Sequence, residues 1–154
     1  MIVLLTLLIR SLFHAFFAGS LYFFFRYSLG IKFGKGLFVI FMLIIGSIKE
    51  LADFLMGWSG GVGTNGDLVR DIILTLSFIF ILTGLKRFHD RFSKAQISFI
   101  LLFAFIPLLI LAFIYNQVFV EIKSVATYKH FVDVFSLSLG SLAGIYLIGK
   151  YLEI

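Results

Sequence analysis

The 154-residue chain has no cysteine and a single proline, Pro107, and only 14% of its residues are charged. Without cysteine there is no disulfide, no thiolate metal site and no thiol nucleophile. With one proline, the apolar stretches run uninterrupted, unlike short strands punctuated by turns. Set against 61% hydrophobic residues, the low charge lies outside the range of ordinary soluble domains. Acids are also scarce: eight Asp and Glu stand against 13 Lys and Arg, for a formal charge of +5.

What is present is phenylalanine, 21 of them, spread through long apolar runs. Lipid offers backbone groups no hydrogen-bond partner, so such runs must be helical. Barrel strands would instead alternate in polarity over segments of roughly ten residues. Five segments, about 2 to 25, 37 to 57, 67 to 85, 97 to 115 and 131 to 149, each approach the roughly 20 residues that cross a hydrocarbon core. The expected fold is therefore all-α, a polytopic transmembrane helix bundle of about five spans forming a single domain over residues 1–154. The first segment, MIVLLTLLIRSLFHAFFAG, has no basic region ahead of it and is interrupted by Arg10. That pattern predicts a retained span rather than a cleaved signal peptide. Arg10, about 13 Å along that helix, must snorkel outward or face the bundle.

The connections RYSLGIKFGKG, SGGVGTNG, KRFHDRFSKAQ and NQVFVEIKSVATYKH separate the spans. The first and third, with the C-terminus, carry Arg26, Lys32, Lys35, Lys86, Arg87, Arg91, Lys94 and Lys150, whereas the other side has Arg70, Lys123 and Lys129, plus Lys49 at a span end. Positive residues concentrate on the cytoplasmic side of membrane proteins. The expected location is thus a cell membrane, with the N-terminus outside and the C-terminus cytoplasmic. The same bias accounts for the net positive charge, so nucleic acid is not an expected partner.

Polar residues inside the spans gather toward the outer side. In GSIKELADFLMGW, Gly46, Lys49, Glu50, Asp53 and Gly57 share one helical face, which can turn the acids away from lipid. DLVRDIIL opens the next span with Asp67 and Asp71 at i, i+4 around Arg70. Acids in a helix's first turns are favoured by its unpaired amides and macrodipole, which is the capping reading of Asp67; Asp71 lies one turn deeper. Glu121 in the last outer connection and Asp133 at the start of the fifth span repeat the pattern. One shared outer cluster follows, with Lys49 and Arg10 as counter-charges. Ser136, Gly140 and Gly144 form a small-residue stripe in the fifth span, which reads as helix packing.

GSIKELADF followed by DLVRDIIL resembles the pattern Gly-x-x-Lys-Glu-x-x-Asp, loop, Asp-Leu-x-x-Asn/Asp of small membrane proteins of the VanZ-like and YfiM-like groups. The stretch containing Glu121, Asp133, Gly140 and Gly144 is similar to the VanZ-like signature of Glu, then Asp-x-x-x-Asn-x-x-Gly-x-x-x-Gly. Leu74 stands where the first pattern has glycine and Leu137 where the second has asparagine. The resemblance implies an envelope protein, with a link in one branch to glycopeptide resistance.

Three function classes fit these residues. The first is a non-catalytic envelope protein whose cluster of Lys49, Glu50, Asp53, Asp67, Arg70, Asp71, Glu121 and Asp133 binds an ion, a lipid head group or another membrane protein, since intramembrane charges are costly and commonly functional. Against it stands a network that only neutralises itself and fixes packing. The second is an enzyme acting on a lipid-linked substrate, with carboxylates holding Mg²⁺. His14, His89 and His130 lie in different segments, so no metal site is assigned and no cofactor is named. The third is a small transporter or channel subunit; Pro107 lies mid-span in LLFAFIPLLI, where it kinks the helix rather than binding substrate.

The charge bias makes the topology testable against a background free of native thiols. Cysteines introduced at Lys35 and Lys94 should resist an impermeant thiol reagent in intact cells. Labelling at both positions would invert the assignment.

Overall fold

The computed structural model describes residues 1–56, 65–119 and 127–154, and among these every regular element is helical. α1 is Ile2–Phe23, α2 Lys35–Met56, α3 Asn65–Phe88, α4 Lys94–Phe103, α5 Phe105–Phe119, α6 Thr127–Ser138 and α7 Gly140–Leu152. The described part of each of the five apolar segments is helical. The last two, however, are divided into α4–α5 and α6–α7. Three stretches, Ile2–Ser28, Leu68–Arg91 and Lys94–Val118, are long and apolar enough to cross a membrane, and a fourth if the bent α6–α7 pair is one span. These apolar helices mark a membrane protein. The count differs from five because α2, though 22 residues long, carries Lys49, Glu50 and Asp53 in its last third.

Both divisions have local causes. Pro107 has no N–H to offer the carbonyl of Phe103, and the helix breaks at Ala104, between the two. At the second division, a run of serines turns inward on its own backbone. Ser138 Oγ donates to the Val134 and Phe135 carbonyls at 2.8 and 3.3 Å, and Ser141 Oγ to that of Ser138 at 2.5 Å. Such back-bonding bends helices, and with Gly140 following Leu139 the two halves meet at 44°. At the start of α4, Ser93 and Gln96 form a reciprocal capping box. α1 ends in a single π turn, Phe24–Ser28, before Gly30 takes a positive φ of 69°.

α1 is the central helix. It packs along α7 and against α3, α4 and α6, while α2 packs chiefly on α6 and α3 also meets α5. Its crossing with α7 is close enough to exclude a side chain at two glycines. A Cβ placed on Gly144 would lie 1.8 Å from the Ala15 carbonyl oxygen, and one on Gly19 would lie 2.6 Å from the Gly144 carbonyl carbon. Small residues permit this approach, which dispersion then rewards. Gly140 faces Ala15 at ordinary contact distance, so the stripe named in the sequence does lie against α1.

Aromatic rings fill the middle of the bundle. Phe78 and Phe105 are 4.6 Å apart between ring centroids, Phe16 and Phe78 5.1 Å, and Phe13 and Phe105 5.3 Å, joining α1, α3 and α5. Conversely, Phe80 is 80% exposed, Phe131 73% and Phe113 64%. A surface this apolar suits lipid as solvent and would be an aggregation hazard in water.

The α1–α7 crossing gives a direct test. Gly144→Ala should lower stability in detergent by about 1 to 3 kcal/mol, the usual range for overpacking. Gly84→Ala, which meets nothing within 4 Å, should be neutral or stabilise by up to about 1 kcal/mol through helix propensity. Equal melting temperatures for the two variants would contradict the close crossing.

Candidate functional site

Polar side chains collect toward the end of the bundle formed by the first half of α1, the first turns of α3 and α6 and the last turns of α2 and α5. Asp133, on α6, is fully buried. Arg10 Nε approaches its Oδ1 to 3.0 Å and Lys129 Nζ its Oδ2 to 3.7 Å. Neither carboxylate oxygen is aligned for a hydrogen bond among the described residues. The carboxylate is thus held by the charge of its neighbours, in a medium of low dielectric where that attraction is strong. His14, one turn along α1 from Arg10, places Nδ1 3.1 Å from Ser136 Oγ and 3.6 Å from Asp133 Oδ1.

A second group joins α2 to α6. Lys49 donates to Glu50 Oε1 at 2.5 Å and pairs with Asp53 at 2.8 Å across one helical turn. His130 Nδ1 lies 2.6 Å from Glu50 Oε2. Both Glu50 oxygens therefore have partners, and the residue is buried at 4% exposure although the α2 helix around it faces outward. Lys129 lies within electrostatic range of Arg10, Asp133, Glu50 and Lys49, which links the two groups into one network across α1, α2 and α6.

A third group is built on α3 and α5. Arg70 Nε donates to Asp71 Oδ1 at 2.8 Å, and a guanidinium nitrogen donates to Asn116 Oδ1 at 2.8 Å. Asp71 Oδ2 is buried without a hydrogen bond among the described residues. Among the described residues Asp71 is thus joined to Arg70 and, through it, to Asn116, in keeping with α3 packing on α1 and α5 while α2 turns to α6. Of the candidate set, the structure brings Lys49, Glu50, Asp53 and Asp133 into the linked network and puts Arg70 and Asp71 with Asn116. The Asp67 side chain and Glu121 lie outside the described residues.

His14, Lys129 and His130 are absent from the set to which the sequence points, yet all three touch its acids. The signal was in the spacing. Arg10 with His14, and Lys129 with Asp133, are i, i+4 pairs, each a shared helical face. His130 stands at i, i+3 to Asp133, but only the packing of α2 beside α6 brings it to Glu50.

Alongside the second group runs a groove of about 610 Å³ between α2 and α6. Leu43, Leu51, Phe54, Phe131 and Phe135 form its apolar walls, and Glu50 and His130 also line it. Among the described residues no three His, Asp or Glu side chains converge as a metal site would require. No protein-family model, curated protein or solved structure matches this chain.

Removing the Asp133 carboxylate leaves Arg10 and Lys129 uncompensated. Asp133→Asn should cost about 3 to 5 kcal/mol of stability in detergent, as for other broken buried pairs. Adding Arg10→Met should recover part of that loss through a coupling of about 0.5 to 3 kcal/mol. Strictly additive losses in the double variant would show that the two side chains do not interact.

Proposed function

We propose that this chain is a multi-pass protein of a cell-envelope membrane whose polar end binds the head group of a lipid, with the acyl chain lying in the groove between α2 and α6. The observation that carries this reading is the position of Glu50 and His130. The buried Glu50 carboxylate and the partly buried His130 imidazole line a groove whose other walls are leucine, phenylalanine and valine, with two serine hydroxyls, Ser47 and Ser138. Binding sites for amphiphiles have this composition, mostly apolar with a few placed polar groups. The end of α2 also sets two carboxylates against one lysine, which favours head groups that donate, such as an amine or a hydroxyl.

The reading takes all five apolar segments as spans, with the N-terminus outside and the polar end in the outer leaflet. α2 is about 33 Å long by its rise per residue, enough for a hydrocarbon core of about 30 Å. Its Ile40, Leu43, Ile44, Ile48 and Leu51 are exposed, and its charged groups sit at one end with Glu50 turned to α6. The Lys and Arg bias of the connections supports the orientation. The resemblance to VanZ-like proteins supports an envelope location. A lipid head group is favoured over a bare ion because Glu50, Asp53 and Asp133 each already face a cationic side chain.

The test is thermal unfolding in detergent with phosphatidylethanolamine and, separately, phosphatidylcholine added. Ligands that bind only the folded state raise apparent stability by mass action. The wild type should be stabilised by the first lipid more than by the second. Leu51→Trp, which fills the groove at a position 59% exposed, should abolish that difference while changing stability without lipid by no more than about 0.5 kcal/mol. A lipid response that survives Leu51→Trp would remove the groove as the site.

A further inference from the structure

At the end of the bundle opposite the polar network, a second pocket of about 400 Å³ lies between the π turn that ends α1, the start of α2 and the end of α7. Arg26, Lys35 and Lys150 line it together with Tyr22, Tyr27 and Tyr146. We propose that this pocket is a site for the phosphate of an anionic glycerophospholipid, in the leaflet opposite the groove. The proposal is independent of the head-group site at the polar end, which uses other residues on the other side of the membrane.

Charge is the first argument. Among the described residues none of Arg26, Lys35 and Lys150 pairs with an Asp or Glu side chain, and no Asp or Glu side chain lines the pocket. The two acids near this end are already engaged elsewhere, Glu153 by Lys86 at 2.5 Å and Asp90 by His89 at 3.0 Å. Lys86 holds the Glu153 carboxyl below the usual carboxylate range by hydrogen bonding to it. A general excess of positive charge on one membrane face requires cations there. It does not require three of them to converge on one concavity, where their mutual repulsion is unfavourable until an anion enters.

Geometry is the second. The Tyr22 ring is 2% exposed and fixes one wall of the pocket. Its hydroxyl accepts from Arg26 Nη1 at 3.0 Å, and the guanidinium lies 5.7 Å from the Tyr27 ring centroid. Lys150 Nζ donates to Tyr146 Oη at 3.2 Å. Arg26 and Lys150 are therefore positioned by tyrosines before any ligand arrives, the arrangement by which aromatic faces hold cations. Gly149 also lines the pocket, and a Cβ there would press to 3.1 Å from the Phe23 ring, so the absence of a side chain helps keep the space open.

Depth is the third. The pocket sits where Ile2–Ser28 and α7 end, the level at which lipid phosphates lie, and Leu142 and Leu147 on α7 are exposed nearby for acyl chains. Basic pockets between spans at this level bind anionic head groups, and the volume is within the range of small-ligand sites. Lipid is chosen over soluble phosphate because of this placement.

The full chain should be reconstituted in nanodiscs of equimolar phosphatidylcholine and phosphatidylglycerol, and the lipid retained after release measured by native mass spectrometry. Phosphatidylglycerol should be retained over phosphatidylcholine on the wild type. Arg26→Gln with Lys35→Gln should weaken that retention by about tenfold or more, at roughly 1 kcal/mol for each basic residue near an anionic surface. Lys35→Gln with Lys150→Gln decides the matter if loss of the Arg26 bond to Tyr22 impairs folding. Arg87→Gln with Lys32→Gln removes the same charge outside the pocket and should retain the lipid. Equal loss in that control, or equal retention of both lipids by the wild type, would overturn the proposal. Full displacement of phosphatidylglycerol by millimolar glycerol phosphate would overturn the choice of lipid in favour of a soluble phosphate.

Discussion

A carboxylate with no exposed surface, Asp133, sits in a bundle that is otherwise largely hydrocarbon, and much of the polar end is arranged around that constraint. An isolated charge there would be very unfavourable. Arg10 from α1 and Lys129 from the preceding turn of α6 approach it closely. Because Arg10 and Asp133 are 123 positions apart in sequence, their pairing fixes the first helix to the last segment. The close crossing of Ala15, Gly19 and Gly144 lies along the same pair of segments. Charge pairing and backbone contact thus act on one seam, the first by attraction over distance and the second by short-range packing.

The other helices arrange themselves about that seam. α2, whose acids must avoid lipid, lies against α6, where His130 meets Glu50. α3 and α5 pair by aromatic rings in the middle and by Arg70 and Asn116 near the end. The broken segments suit the same purpose. The 44° bend at Leu139 follows the turn of α6 that carries Asp133 and Ser136, so α6 and α7 approach α1 at different angles. A straight helix would have to compromise between the ion pair and the glycine crossing.

The two ends differ in electrostatic character. At one, acids and bases are nearly matched and mostly buried, and the open space beside them is apolar. At the other, cations dominate and tyrosines orient them. A network that neutralises itself contributes mainly to a specified packing, and here the Glu50–His130 pair is the part of it that meets an open groove. An unmatched basic pocket has the opposite property, since its groups gain favourable interaction only when an anion arrives. Both features suit a protein that lies in a membrane.

The amino-acid sequence alone determined the membrane-like apolar character, the helical class and the position of Pro107 within the fourth apolar segment. Those properties are local, since hydrophobic run length, Pro107 and the i, i+4 spacings act within one helix; the bend at Leu139 was not among them, because the fifth segment reads as one unbroken span. The sequence also marked Lys49, Glu50, Asp53 and Asp133 as a set, because charges in apolar runs are conspicuous. It did not separate Asp71 from them, nor place His130 on Glu50 or Arg26 beside Lys35 and Lys150. Those outcomes depend on which helices are neighbours, and adjacency in the chain is a poor guide to it here, since α2 packs on α6 and α3 on α1. Only the tertiary structure decided that, because the choice among similarly apolar faces rests on small differences in shape, the Gly144 crossing above all, and on which buried charges can reach one another.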